Sequence, residues 1–87
     1  MQDSISELNV QLVLRDYEMT SYYVNKNQQA NGDHEVHTDS CRFLPLTQNR
    51  VSLGNFTTCA PAVQEAKRLG YSRANGCRTC SIACHTS

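Results

Sequence analysis

The chain has no tryptophan, and Phe43 and Phe56 are its only phenylalanines. Hydrophobic residues make up 39% of 87, which leaves little large apolar material from which to build a core. Domains near this size bury only about 60% of the surface their unfolded chains expose, so a thin core calls for a disulfide or metal staple. No apolar run is long enough to cross a membrane. The opening Met1-Gln2-Asp3 is acidic and polar, and the short apolar stretch Val10–Leu14 is broken by Gln11, so no secretory signal is read. Internal repeats and low-complexity tracts are lacking too.

Net charge is also absent, but the charges are not evenly spread. Up to Asp39 seven acids face only Arg15 and Lys26. Beyond it Arg42, Arg50, Lys67, Arg68, Arg73 and Arg78 face Glu65 alone. A basic half suits contact with phosphate. The plainer use of these charges is to solvate a small domain and pair with the acidic half.

What the chain does have is cysteine. Cys41, Cys59, Cys77, Cys80 and Cys84 are an odd set of five, so they cannot all pair within the chain. Together with the missing signal, this favours a reduced, cytoplasmic, metal-binding protein over a secreted disulfide scaffold. Two close ligand pairs stand out, His37-x3-Cys41 and Cys77-x2-Cys80. Two such pairs separated by a loop are the sequence form of a tetrahedral Zn²⁺ site, and Cys₃His is a common structural set. Cys84 and His85 follow closely and are the alternative ligands.

The elements around these pairs suggest an α+β fold. Residues 1–18 read as an N-terminal appendage, in which Leu8, Val10, Leu12 and Leu14 fit a weak strand while Ile5, Leu8 and Leu12 fit a helical face. The small zinc domain is then residues 19–87. Tyr22–Val24 is rich in β-formers, Asn31-Gly32-Asp33 signals a turn, and His34–Thr38 returns as the second strand of a hairpin. In that strand Val36 faces one side while Glu35 and His37 face the other. Arg50–Leu53 is a short strand ending at Gly54-Asn55.

Thr58 marks a helix start, with Pro61 tolerated in the first turn. Ala62, Val63, Ala66 and Leu69 form its apolar stripe, and Gly70 closes it. Asn75-Gly76 is read as the turn leading into the Cys77-x2-Cys80 knuckle, with a short terminal helix over Ser81–His85.

His37-x3-Cys41, the strand around Arg50–Phe56, the helix with Ala62 and Ala66, Leu69-Gly70-Tyr71 and Cys77-x2-Cys80 together resemble the metal-binding domain of the bacterial DNA-repair protein Ada, and related zinc modules appended to nucleases. The resemblance spans residues 34–80. It implies a zinc-stapled fold whose ligands are His37, Cys41, Cys77 and Cys80. In that family the first ligand is a cysteine that accepts a methyl group from DNA phosphotriesters. Here the matching position is His37, so alkyl transfer is not expected.

The expected function is therefore a structural zinc module that binds a macromolecular partner. That partner is either nucleic acid, contacted by Arg42, Arg50, Arg73 and Arg78, or another protein. Other readings attach to particular residues. Cys59 at the helix start is either packed or a reactive thiol. His34, with His37 and His85, would make a second site. Cys41, Cys77, Cys80 and Cys84 would hold an iron–sulfur cluster. Glu35 is the one attractive base for a catalytic zinc, and no residue is assigned a catalytic role.

Overall fold

A computed structural model of the chain describes residues 19–86, so the expected appendage over residues 1–18 lies outside the described residues. Four strands and one helix make up a small α+β domain: β1 (Thr20–Asn25), β2 (His34–Thr38), β3 (Arg50–Phe56), α1 (Cys59–Arg68) and β4 (Ala74–Gly76). Two short 3₁₀ turns, Thr47–Asn49 and Ile82–Cys84, complete it. The sheet order is β3-β1-β2-β4, antiparallel except for the β2–β4 pair.

The hairpin forms as its residues dictate. Tyr22 lies opposite Thr38, Tyr23 opposite His37 and Val24 opposite Val36. Alternation sends Tyr22, Val24 and Val36 to one face of the sheet, where they are buried against α1. Tyr23, Glu35 and His37 fall on the opposite face. Strand β3 runs past Gly54-Asn55 to Phe56, longer than the turn-forming residues suggest. It does so by inserting Leu53 as an extra residue between the Tyr22–Gly54 and Tyr23–Ser52 pairs, a bulge that keeps the strand in register on both sides. Leu53 is thereby turned into the core, where it is 5% exposed.

Helix α1 buries Cys59, Ala62, Val63 and Ala66, spaced to cover one face. Leu69, expected in that stripe, is 42% exposed because the helix stops at Arg68 and Leu69 serves as its C-cap. Cys59 takes the place in the stripe instead. Thr58 holds the N-cap position in an extended conformation but makes no side-chain capping bond. The far end is a Schellman closure. The Gly70 amide donates to the Lys67 carbonyl and the Tyr71 amide to the Ala66 carbonyl, with Gly70 at φ 109°.

Asn75-Gly76 is not a turn. Both residues belong to β4, whose Ala74, Asn75 and Gly76 pair in parallel with His34, Glu35 and Val36. A β-carbon added at Gly76 would lie 2.5 Å from the Ser81 carbonyl oxygen and 2.7 Å from the Cys84 β-carbon. Glycine is thus required by close approach of the C-terminal segment, not by a positive φ. The chain after β4 doubles back over this strand, and that path brings Cys77, Cys80 and Cys84 to their places. The terminal helix expected over Ser81–His85 is the single 3₁₀ turn Ile82–Cys84.

Candidate metal centre

The face of the sheet opposite α1 carries the candidate site. His37 projects from β2 and is 1% exposed. The chain leaves β2 through a tight turn, with the Cys41 amide donating to the Thr38 carbonyl at 3.2 Å, and this swings Cys41 back over the strand end. Across the sheet, the Cys77 amide donates to the Val36 carbonyl at 2.9 Å, continuing the β4 ladder into the knuckle. Cys77 is buried, while Cys41 and Cys80 are half-buried.

The ligand atoms of His37, Cys41, Cys77 and Cys80 all lie within 4.8 Å of one another, and the cluster could hold a metal ion. The Cys41 and Cys77 sulfurs are 4.0 Å apart, as are the Cys80 sulfur and His37 Nδ1. A tetrahedral ion with metal–sulfur bonds of about 2.3 Å needs sulfurs about 3.8 Å apart, so the set requires little closure to bind one.

Backbone amides prepare the sulfurs for negative charge. The Phe43 amide donates to Cys41 Sγ and the Thr79 amide to Cys77 Sγ, each at 3.4 Å. Both donors sit two residues after their cysteine, so the two ligand turns share one local geometry. The Thr38 amide donates to Cys80 Sγ at 3.3 Å. Burial by itself would raise the Cys80 thiol, but this amide and contacts with Cys41 and Ser81 bring it below its ordinary value. Cys41 behaves oppositely. Burial and the neighbouring sulfurs push its pKa up to about 12, against the pull of the Phe43 amide.

His37 is prepared as a neutral ligand. Burial lowers its pKa, outweighing the opposing pull of Glu35. Its Nε2 lies 3.4 Å from Glu35 Oε1 and otherwise lacks a hydrogen-bond partner. With the proton on Nε2 facing that carboxylate, Nδ1 keeps its lone pair beside Cys80. A carboxylate behind the distal nitrogen is the usual way a metal-binding imidazole is oriented.

The alternative ligands are engaged elsewhere. Cys84 forms a disulfide with Cys59, joining the start of α1 to the C-terminal segment with Cα atoms 6.2 Å apart. It therefore does not replace a metal ligand or complete an iron–sulfur set, and Cys59 is not a reactive thiol. The pairing was hidden in the sequence because it depends on the tail doubling back over β4 to meet the helix. His85 Nδ1 lies 3.0 Å from the Gly76 carbonyl oxygen. His34 is held by the Asn25 carbonyl at 2.9 Å and by an edge contact with Tyr71, so the histidines do not gather into a second site.

Three of the four arginines expected at a phosphate surface, Arg42, Arg50 and Arg73, have partners within the chain. Arg73 pairs with Asp33 at 3.1 Å. Arg50 lies over the Tyr23 ring and donates to the Pro45 carbonyl. Arg42 lies over Phe43, and Arg78 lines a shallow cleft with Glu35, Phe43 and Cys77. Arg42 and Arg78 each directly follow a cysteine of the cluster. A divalent ion bound by three thiolates carries a net charge of minus one, and these two cations stand where they would offset it.

No family model, curated protein or solved structure matches this chain. No helix among the described residues is long and apolar enough to cross a membrane.

Proposed function

We propose that the chain is a small structural zinc module of the Ada type, serving as a binding module without alkyl-transfer chemistry. The observation that carries this reading is the convergence of one buried imidazole and three free thiols within 4.8 Å. Three cysteines and a histidine favour Zn²⁺ among abundant ions, and four protein ligands leave no open position for substrate. Mechanistically, the ion cross-links the end of the β1–β2 hairpin to the segment after β4. Binding free energies of about 10 kcal/mol or more for such sites make metal binding part of folding. With an imidazole at the position of the family's methyl acceptor, the centre has no nucleophile there.

For the partner, a protein surface is the better supported choice. Three of the arginines are engaged within the chain, and Phe43 and Leu46 are 54% and 66% exposed on the segment that follows a ligand. A pull-down that survives nuclease treatment supports this, and binding that weakens steeply with salt supports nucleic acid instead.

The disulfide favours a second reading, that of a secreted domain in an oxidising compartment. The cytoplasmic placement rests on the free thiols of the cluster. Elemental analysis of protein purified without added metal, with circular dichroism before and after chelation, separates these readings. One zinc per chain, with structure lost on chelation, is the expected result. A chain that stays folded without metal while its three cluster thiols remain reduced sinks the zinc reading.

A further inference from the structure

The five cysteines are sorted into one disulfide and three clustered thiols, and the thiols raise a question of their own. Beside the Cys59–Cys84 disulfide, the structure places the Cys41 and Cys77 sulfurs 4.0 Å apart. Resting on the zinc reading of the site, we propose that Cys41 and Cys77 form a second oxidation site, at which a hydroperoxide makes a disulfide that expels the metal and takes over its cross-link.

Three features select this pair. Cys41 is half-buried while Cys77 is 2% exposed, so an oxidant from solvent reaches Cys41 first. Cys77 then stands beside the activated sulfur, needing about 2 Å of approach to reach disulfide bonding distance. Cys80 also touches Cys41, but its sulfur has three further contacts, the Thr38 amide, Ser81 Oγ and His37 Nδ1, against a single amide on each of the other two sulfurs.

The chemistry balances with the peroxide as oxidant. The Cys41 thiolate attacks one peroxide oxygen, the O–O bond breaks, and hydroxide leaves as water after taking a proton. The Cys77 thiolate attacks the resulting sulfenic sulfur, and a second hydroxide leaves as water in the same way. Two electrons pass from the sulfurs to the peroxide, and a bound ion would be left with only His37 and Cys80 as ligands.

The new bond would connect the loop after β2 to the segment after β4, the same two places that the metal connects. One staple thus replaces another, and the fold persists as a two-disulfide domain with Cys80 as its remaining thiol. The zinc-bound and disulfide-bonded forms become two states of one chain.

The test uses the full chain loaded with zinc alone and treated with hydrogen peroxide. Zinc content is measured first, and a chain that takes none overturns the metal reading and the expulsion with it. For a loaded chain, the expected results are release of its zinc to a colorimetric chelator, one thiol left per chain, and a Cys41–Cys77 cross-link on non-reducing peptide mapping. The far-ultraviolet circular dichroism should be retained. Cys80→Ser should still give that cross-link, and Cys41→Ser should give none. Zinc retained after thiol loss, a Cys41–Cys80 or Cys77–Cys80 cross-link, or dimers through Cys80 would overturn the inference while leaving the zinc reading intact.

Discussion

Gly76→Ala isolates the close approach on which both staples depend. The added methyl would sit 2.5 Å from the Ser81 carbonyl oxygen, 2.7 Å from the Cys84 β-carbon and 2.8 Å from the Cys84 carbonyl carbon. Ordinary contacts begin near 3.4 Å, so the Cys77–Cys84 segment must retreat by close to 1 Å. It cannot do so freely. Cys84 is tied to α1 by its disulfide, and Ser81 is held by its amide's bond to the Cys77 carbonyl at 2.9 Å. Overpacking of this kind costs about 3 kcal/mol. For a domain of this length that lowers Tm by roughly 12–24 °C. Because Ser81 adjoins Cys80, the same retreat should also weaken zinc binding. Gly70→Ala is the matched control. No atom lies within 4 Å of the new methyl, and the cost is the strain of φ 109° alone, about 1 kcal/mol. Zinc affinity should be untouched there. Thermal melts and competition titrations on both variants decide the matter. A Gly76→Ala protein that melts with the wild type and binds zinc equally would refute the packing argument.

Other outcomes follow from the same geometry. Glu35→Gln keeps the fold but loses the carboxylate behind His37, and zinc affinity in a competition titration should fall about 10–100-fold. Replacing Cys59 and Cys84 together by alanine opens a link between residues 25 apart, with an expected loss of about 3.5 kcal/mol in denaturant melts and no change in zinc stoichiometry. Affinity should also rise with pH. Cys41, its pKa near 12, must release a proton to bind, as must any thiol still protonated. Each contributes about tenfold per pH unit, and Cys80, its pKa depressed, stops contributing at a lower pH than Cys41.

What could be read from the sequence divides by the range of the interaction behind it. The hairpin and helix rest on local rules: β-formers at Tyr22–Val24, a Gly32 turn, an Ala-rich stripe and a Gly70 closure. The fold class follows from these. The ligand spacing also anticipated which four side chains lie together, because strand β2 and the knuckle each deliver a close pair. Local rules failed where a distant segment decided. Gly54-Asn55 and Asn75-Gly76 are turn formers by composition, yet both lie in strands, one saved by a bulge and the other demanded by the tail packed against it. Leu69 fits the helical period but falls one residue beyond the last helical turn. The Cys59–Cys84 pairing carried no local signal, since nothing between those residues announces that the chain returns to the helix start.

That pairing changes what the metal has to do. The buried face of α1 consists of Cys59, Ala62, Val63 and Ala66, and three of these side chains are too small to bury much area. Sheet and helix are therefore joined by modest apolar contact, worth about 25 cal/mol per Å². The disulfide closes the side of the sheet that faces α1, and a metal held by the His37–Cys80 cluster would close the opposite side. Both act on the ten residues from Cys77 to Thr86, which would otherwise be anchored by β4 and a few polar contacts, such as the Thr86 amide on Asn75 at 3.1 Å. Removing either staple should loosen the same segment, so their contributions will not be additive. A double-mutant cycle of Cys59→Ala with Cys84→Ala against Glu35→Gln should show a coupling above the roughly 0.5 kcal/mol expected of independent sites. If the two losses simply add, the tail does not transmit between the staples, and the disulfide and the metal centre stabilise separate halves of the domain.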